Sequence, residues 1–121
     1  MVPISDHGDF ENPTKSAYSV ERYDSGWERQ YMLKLEKDKT VTKWTKNHGI
    51  VIQYVTVAGN VRGYRPDFLV ERMDATKELH EVKGGQFMDN PDTARKHEAA
   101  KNWCQRREMK FIIVTKRIRQ K

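Results

Sequence analysis

One stretch constrains this chain more than any other. It runs Tyr64-Arg-Pro-Asp-Phe-Leu-Val-Glu-Arg72, then a short polar turn, then Glu78-Leu-His-Glu-Val-Lys-Gly-Gly85. The pattern predicts two strands joined about Asp74. Alternate side chains along a strand share a face. Arg65, Asp67 and Leu69 therefore point one way, and Pro66, Phe68 and Val70 the other. On the second strand Leu79, Glu81 and Lys83 share a face, opposite His80 and Val82. A hairpin folded at Asp74 sets Asp67 across from Glu81, with β-carbons roughly 5 Å apart.

Two carboxylates placed like this repel, so stability does not explain the pair. A divalent cation between them turns repulsion into binding, because hard cations take carboxylate oxygens. Lys83 lies two residues on, on the same face, placed to hold a water or a phosphate. Acid, acid and lysine on paired strands are the minimal apparatus for metal-assisted phosphodiester hydrolysis.

The surrounding chain supplies elements to carry this hairpin. Ser25 and Glu28 form an S-x-x-E capping pattern that predicts a helix to about Lys37. Trp27, Tyr31, Met32 and Leu35 fall within an arc of about 140° on it, and Glu28 falls inside the same arc. That leaves two readings of Glu28: a cap alone, or a carboxylate aimed at the core side. Residues 38–49 read as a charged connector anchored by Val41 and Trp44. Residues 50–57 read as a strand followed by an Ala58-Gly-Asn60 turn, and Arg62-Gly63-Tyr64 leads into the hairpin. Asn90-Pro91-Asp92 opens a second helix that continues to about Arg107, with Ala100, Trp103 and Cys104 on its apolar face. Lys96 projects onto that face, either as a stem along the core or as an ammonium aimed at the acid pair. Residues 110–115 are a short apolar strand. Residues 1–24 lack periodicity and read as an extended arm, loosely ordered over residues 1–14. The order is helix, three strands, helix, strand.

Pro66-Asp67 followed by Glu81-Val82-Lys83 resembles the PD-(D/E)xK nuclease signature. Ser25-Gly-Trp-Glu28, Val41-Thr-Lys-Trp44, Tyr64 to Val70 and Ala99-Ala-Lys-Asn-Trp-Cys104 follow the order seen in one branch. That branch holds the endonuclease domain of type III restriction enzymes and the TnsA transposon end-cleaving nucleases. The resemblance spans about residues 23 to 115. It implies an α/β, restriction-endonuclease-like αβββαβ core: a mixed sheet flanked by helices over 25–115, with the arm at 1–24 and a basic tail at 116–121. It implies Mg²⁺ or Mn²⁺ held by Asp67 and Glu81, with the Val82 carbonyl as a further ligand and Lys83 beside the attacking water. It tips Glu28 toward the metal site and gives Lys96 an accessory role. Gln86 and Arg65 are further candidate DNA contacts. His80 lies on the other face and reads as structural. Trp27, Trp44, Trp103, Tyr64 and Phe68 read as packing residues.

Length and charge agree with this reading. At 121 residues the chain fits one domain. Its formal charge of +6 favours a polyanion. The lone Cys104 excludes an intrachain disulfide and a cysteine-based zinc cluster, and favours a cytosolic setting. No basic leader or long apolar run suggests export or a membrane span. The expectation is a cytoplasmic, prokaryotic or phage-encoded endodeoxyribonuclease acting on DNA. With one active site it cuts one strand per visit, as a homodimer or under a larger targeting partner. The competing expectation is a non-catalytic DNA-binding or scaffolding relative.

Overall fold

A computed structural model describes residues 7–84 and 90–116. The elements are β1 (Gly8–Glu11), β2 (Val20–Tyr23), α1 (Gly26–Lys37), β3 (Val41–Thr45), β4 (Ile52–Val55), β5 (Val61–Tyr64), β6 (Phe68–Arg72), β7 (Lys77–Gly84), α2 (Pro91–Arg106) and β8 (Lys110–Lys116). The central sheet has the order β3-β6-β7-β8. β6 is antiparallel to both β3 and β7, and β7 is parallel to β8, which it reaches through α2. Helix α1, strands β3, β6 and β7, helix α2 and strand β8 make the restriction-endonuclease-like αβββαβ core, a mixed sheet flanked by helices.

The β6–β7 hairpin folds where its sequence predicts. Phe68 pairs with His80, Leu69 with Leu79, Val70 with Glu78 and Glu71 with Lys77. The turn closes from Arg72 N–H to the Thr76 carbonyl, and the Asp74 carboxylate accepts from the Thr76 amide and hydroxyl. The same register continued by one residue sets Asp67 opposite Glu81.

Alternation then feeds two cores. On one face Phe68 and Val70 pack with Met32 and Leu35 of α1 and with Val41 and Trp44 of β3. On the other, Leu79 packs with Ala100 and Cys104 of α2 and with Ile52 and Tyr64. Each of these large apolar side chains gains about 1.5–3 kcal/mol by leaving water. Both helices start as expected: Ser25 Oγ accepts from the Glu28 amide, and the Asn90 side chain accepts from the Asp92 amide with Pro91 in the first turn.

Four expectations are corrected. Residues 38–49 are not a plain connector, because β3 lies within them as a strand of the main sheet. The register shifts between Val41 and Lys43, and this bulge buries Val41 and Trp44 together although they are three apart. Residues 50–57 do not supply the core's first strand. β4 instead pairs with β5 in a separate hairpin lying against α2, closed by a turn in which Gly59 has φ +92°. Residues 8–23 are not an extended arm: β1 and β2 pair antiparallel, and Phe10 sets its ring edge-on to Trp44. Trp27 is 40% exposed rather than in the core. Trp44 is buried as expected, while Trp103 is half-buried with the Arg107 guanidinium 3.8 Å from its ring centre.

Candidate active site

The site forms where β6 begins and β7 passes, between the N-terminus of α1 and the flank of α2. Asp67 is half-buried just before β6, and its Oδ2 accepts from the Val82 amide at 2.8 Å. That bond fixes the carboxylate on the β7 backbone and supplies no neutralising charge. Glu81 is 9% exposed. Its Oε1 accepts from the Tyr64 hydroxyl at 2.6 Å, and Lys83 Nζ lies 3.7 Å from Oε2.

The two carboxyls titrate as a pair. Burial pushes Asp67 up, the Glu81 charge pushes it further and Glu28 adds to both, to about 8, against the Val82 amide and the Lys46 ammonium. Burial also raises Glu81, opposed by the Tyr64 hydroxyl, Lys83 and Lys96. The Tyr64 phenol is driven well above its ordinary value, by burial first and then by Glu81. It is a permanent donor to that carboxylate.

Glu28 is buried at the start of α1. Its Oε1 accepts from the Asp24 amide at 2.8 Å and pairs with Lys46 Nζ at 2.6 Å. Glu28 takes part in the helix cap, through the Asp24 amide and its own amide on Ser25 Oγ, and its charge adds to the field at Asp67. Lys96 lies on α2 with Nζ 5.5 Å from the centre of the Tyr64 ring, and its charge reaches Glu81. Asp67, Glu81 and Lys83 are together, Glu28 and Lys96 stand at the margins, and Arg65 is exposed. Gln86 lies outside the described residues. His80 is buried on the opposite face, as expected.

Three contributors were not expected in these roles. Tyr64 packs in the core as expected and also reaches Glu81, which depends on how the β4–β5 hairpin docks, and no local pattern reveals that. Lys46 sits one residue past a strand whose bulge hides its alternation. His48 holds the turn into the acidic residue: Nε2 donates to the Pro66 carbonyl at 2.7 Å and Nδ1 accepts from the Ile50 amide at 3.0 Å. Burial lowers its pKa, in keeping with the neutral tautomer those bonds require.

Among the described residues no three His, Cys, Asp or Glu side chains converge as a metal-holding group. The donor set that fits a divalent cation is the Asp67–Glu81 pair. These are hard oxygen donors whose shared burial and repulsion leave the charge unbalanced. A cation held there would complete its shell with water.

The chain matches the model of a protein family described as TnsA-like endonuclease N terminal, over residues 38–116. The match covers β3 through β8, with Asp67, Glu81, Lys83 and Lys96, and leaves α1 and Glu28 outside it. No curated protein matches the chain. No helix among the described residues is long and apolar enough to cross a membrane.

Proposed function

We propose, of a chain that belongs to the TnsA-like endonuclease N-terminal family, that it is a Mg²⁺- or Mn²⁺-dependent endodeoxyribonuclease whose reacting centre is Asp67, Glu81 and Lys83. The observation that carries this reading is the acid pair set across a hairpin, Glu81 buried and Asp67 half-buried, with Asp67 raised in pKa by burial and the Glu81 charge and Glu81 raised by burial. Strongly perturbed titratable groups with a specific charge partner cluster at functional sites.

Asp67 and Glu81, with the Val82 carbonyl, would hold the cation, and Glu28 would support it from α1. The bound ion supplies Lewis-acid polarisation of the phosphate and activation of the attacking water. Lys83 orients that water or neutralises charge on the phosphate as the transition state forms. Tyr64 fixes the Glu81 carboxylate through Oε1 and leaves Oε2 beside Lys83. Lys96 adds positive charge where the DNA backbone approaches. One centre per chain cuts one strand per visit, so a homodimer, a larger partner or a distinctive DNA structure would supply second-strand cutting and the address.

A second reading, a DNA-binding relative without catalysis, draws on one observation: Glu28 is already paired with Lys46. The two separate on supercoiled plasmid incubated with Mg²⁺, Mn²⁺ or EDTA. The nuclease reading expects metal-dependent nicking that Asp67→Ala and Lys83→Ala both abolish. DNA binding without Mn²⁺ binding or nicking would overturn it in favour of the second.

A further inference from the structure

The acidic residues around this site are served by two separate sets of cations. Lys83 and Lys96 act on Glu81. Lys46 acts on the acids beside α1: its Nζ is 2.6 Å from Glu28 Oε1 and 3.1 Å from Asp24 Oδ2, and its side chain is 15% exposed. This ammonium is no loose surface charge. The Lys46 amide donates to Glu21 Oε1 at 3.0 Å. Glu21 has no exposed surface, and its carboxylate also accepts from the Ser16 hydroxyl and from Asn47 Nδ2. A buried carboxylate thus anchors the backbone of the residue whose side chain enters the acid cluster. Glu28 is held from its own side by the Asp24 amide and the Ser25 cap. Both charges reach Asp67, Glu28 with one sign and Lys46 with the other.

A divalent ion bridging Glu28 and Asp67 would have to settle beside a positive charge already in contact with one of its ligands. An ammonium is a compact point charge with three donors, so it can neutralise Glu28 and Asp24 together. We propose that Lys46 is a positioning residue that holds the place of a second divalent ion beside Glu28, so that the centre loads a single ion, on Asp67 and Glu81. This rests on the nuclease reading and deepens it, because it assigns the site a one-ion chemistry.

Mn²⁺ stoichiometry tests it, measured by calorimetry and by counting bound ions by electron paramagnetic resonance. The expected result is one ion per chain in the wild type and in Lys46→Arg, and two in Lys46→Met. The second ion should be lost when Glu28→Gln is added. The dependence of nicking rate on Mn²⁺ should steepen in Lys46→Met from first toward second order. A purely structural Lys46 would change melting temperature and leave the ion count alone. Two ions in the wild type, or one in a folded Lys46→Met, overturns the inference and leaves the nuclease standing. Where Lys46→Met does not fold, Lys46→Gln takes its place with the same expected count of two. A wild type that binds no Mn²⁺ sinks both readings.

Discussion

Glu78 and Glu81 stand three residues apart on the same strand, both buried, and their carboxyls move in opposite directions. Glu78 faces α1. Burial pushes its carboxyl up, but hydrogen bonds from Arg72 and His80 outweigh that and hold it below the ordinary value. Arg72 donates through Nε and Nη2 at 3.1 and 3.0 Å, and His80 Nε2 donates at 2.8 Å. Tyr31, its phenol pushed up to about 12 by burial, donates to His80 Nδ1 at 2.6 Å and completes the chain. Glu81 faces α2 and the acid pair. It receives one neutral hydroxyl and one lysine at 3.7 Å, and its carboxyl stays raised. The fold can neutralise a buried glutamate when only stability is at stake. At Glu81 it leaves the charge unbalanced, as the proposed cation site would require.

The largest break in that comparison comes from the acid pair. Asp67→Asn keeps an acceptor for the Val82 amide and removes the charge. Nicking should fall more than about 100-fold, beyond the ~10–100-fold that losing a metal ligand's supporting group costs. The melting temperature in EDTA should hold or rise, because repulsion is relieved. A drop in stability matching the loss of activity would mean that Asp67 is structural.

Glu78→Gln should do the reverse. It strands Arg72 and His80 beside a neutral amide, and breaking one side of a buried pair is costly. Arg72 keeps Asp38 as a second partner at 3.2 Å, so the loss should be about 2 kcal/mol, at the middle of the range for single substitutions. Chemical denaturation would measure it. Nicking by the folded fraction should stay within about 3-fold of wild type, inside the ~1.4 kcal/mol that a tenfold change represents. Larger loss would couple the two faces and collapse the comparison.

The same contrast explains what could be read from the chain. The hairpin was legible to the residue because its two strands carry clean alternation and its turn centres on Asp74. The helices were legible from their caps, Ser25 and Asn90. β3 was hidden because its bulge puts Val41 and Trp44 on one face at a spacing that strand alternation forbids. The 50–57 segment misled because it is apolar on both sides: Ile52 is buried, while Val51, Val55 and Val57 are 46–57% exposed. The β1–β2 hairpin inverts the rule, with Glu21 fully buried beside Val20 at 40% exposure. Asp67, Glu81 and Lys83 were readable since local register alone brings them together. Tyr64 and Lys46 were not, because their parts depend on how whole hairpins dock.

Tyr64→Phe sharpens the comparison more gently. It removes the hydroxyl from Glu81 and keeps the ring in its core. Mn²⁺ affinity should weaken about 10-fold, the low end for an outer partner of a ligand. Stability in EDTA should change little. Unchanged Mn²⁺ affinity would return Tyr64 to packing alone.

The smallest effect, and the one that reads both carboxyls together, is the pH dependence of stability. Glu78 is depressed in the fold, so its contribution is present above the ordinary carboxylate value and is lost as pH falls through its lower folded value. Asp67 is raised, so between about pH 4 and about 8 the metal-free fold binds a proton that the unfolded chain has released. Stability therefore falls as pH rises across that window. In EDTA the melting temperature should decline by several degrees from pH 5 to pH 8, each ~1 kcal/mol being worth about 3–6 °C in a domain of this size. Saturating Mg²⁺ should flatten the decline, because ligation requires the deprotonated carboxylates and displaces the shared proton. Asp67→Asn should shrink the slope to the part that the burial of Glu81 contributes, whereas Glu78→Gln should leave it and alter only the acid limb. A slope left at its full size in Asp67→Asn would place the proton elsewhere and deny Asp67 its raised pKa.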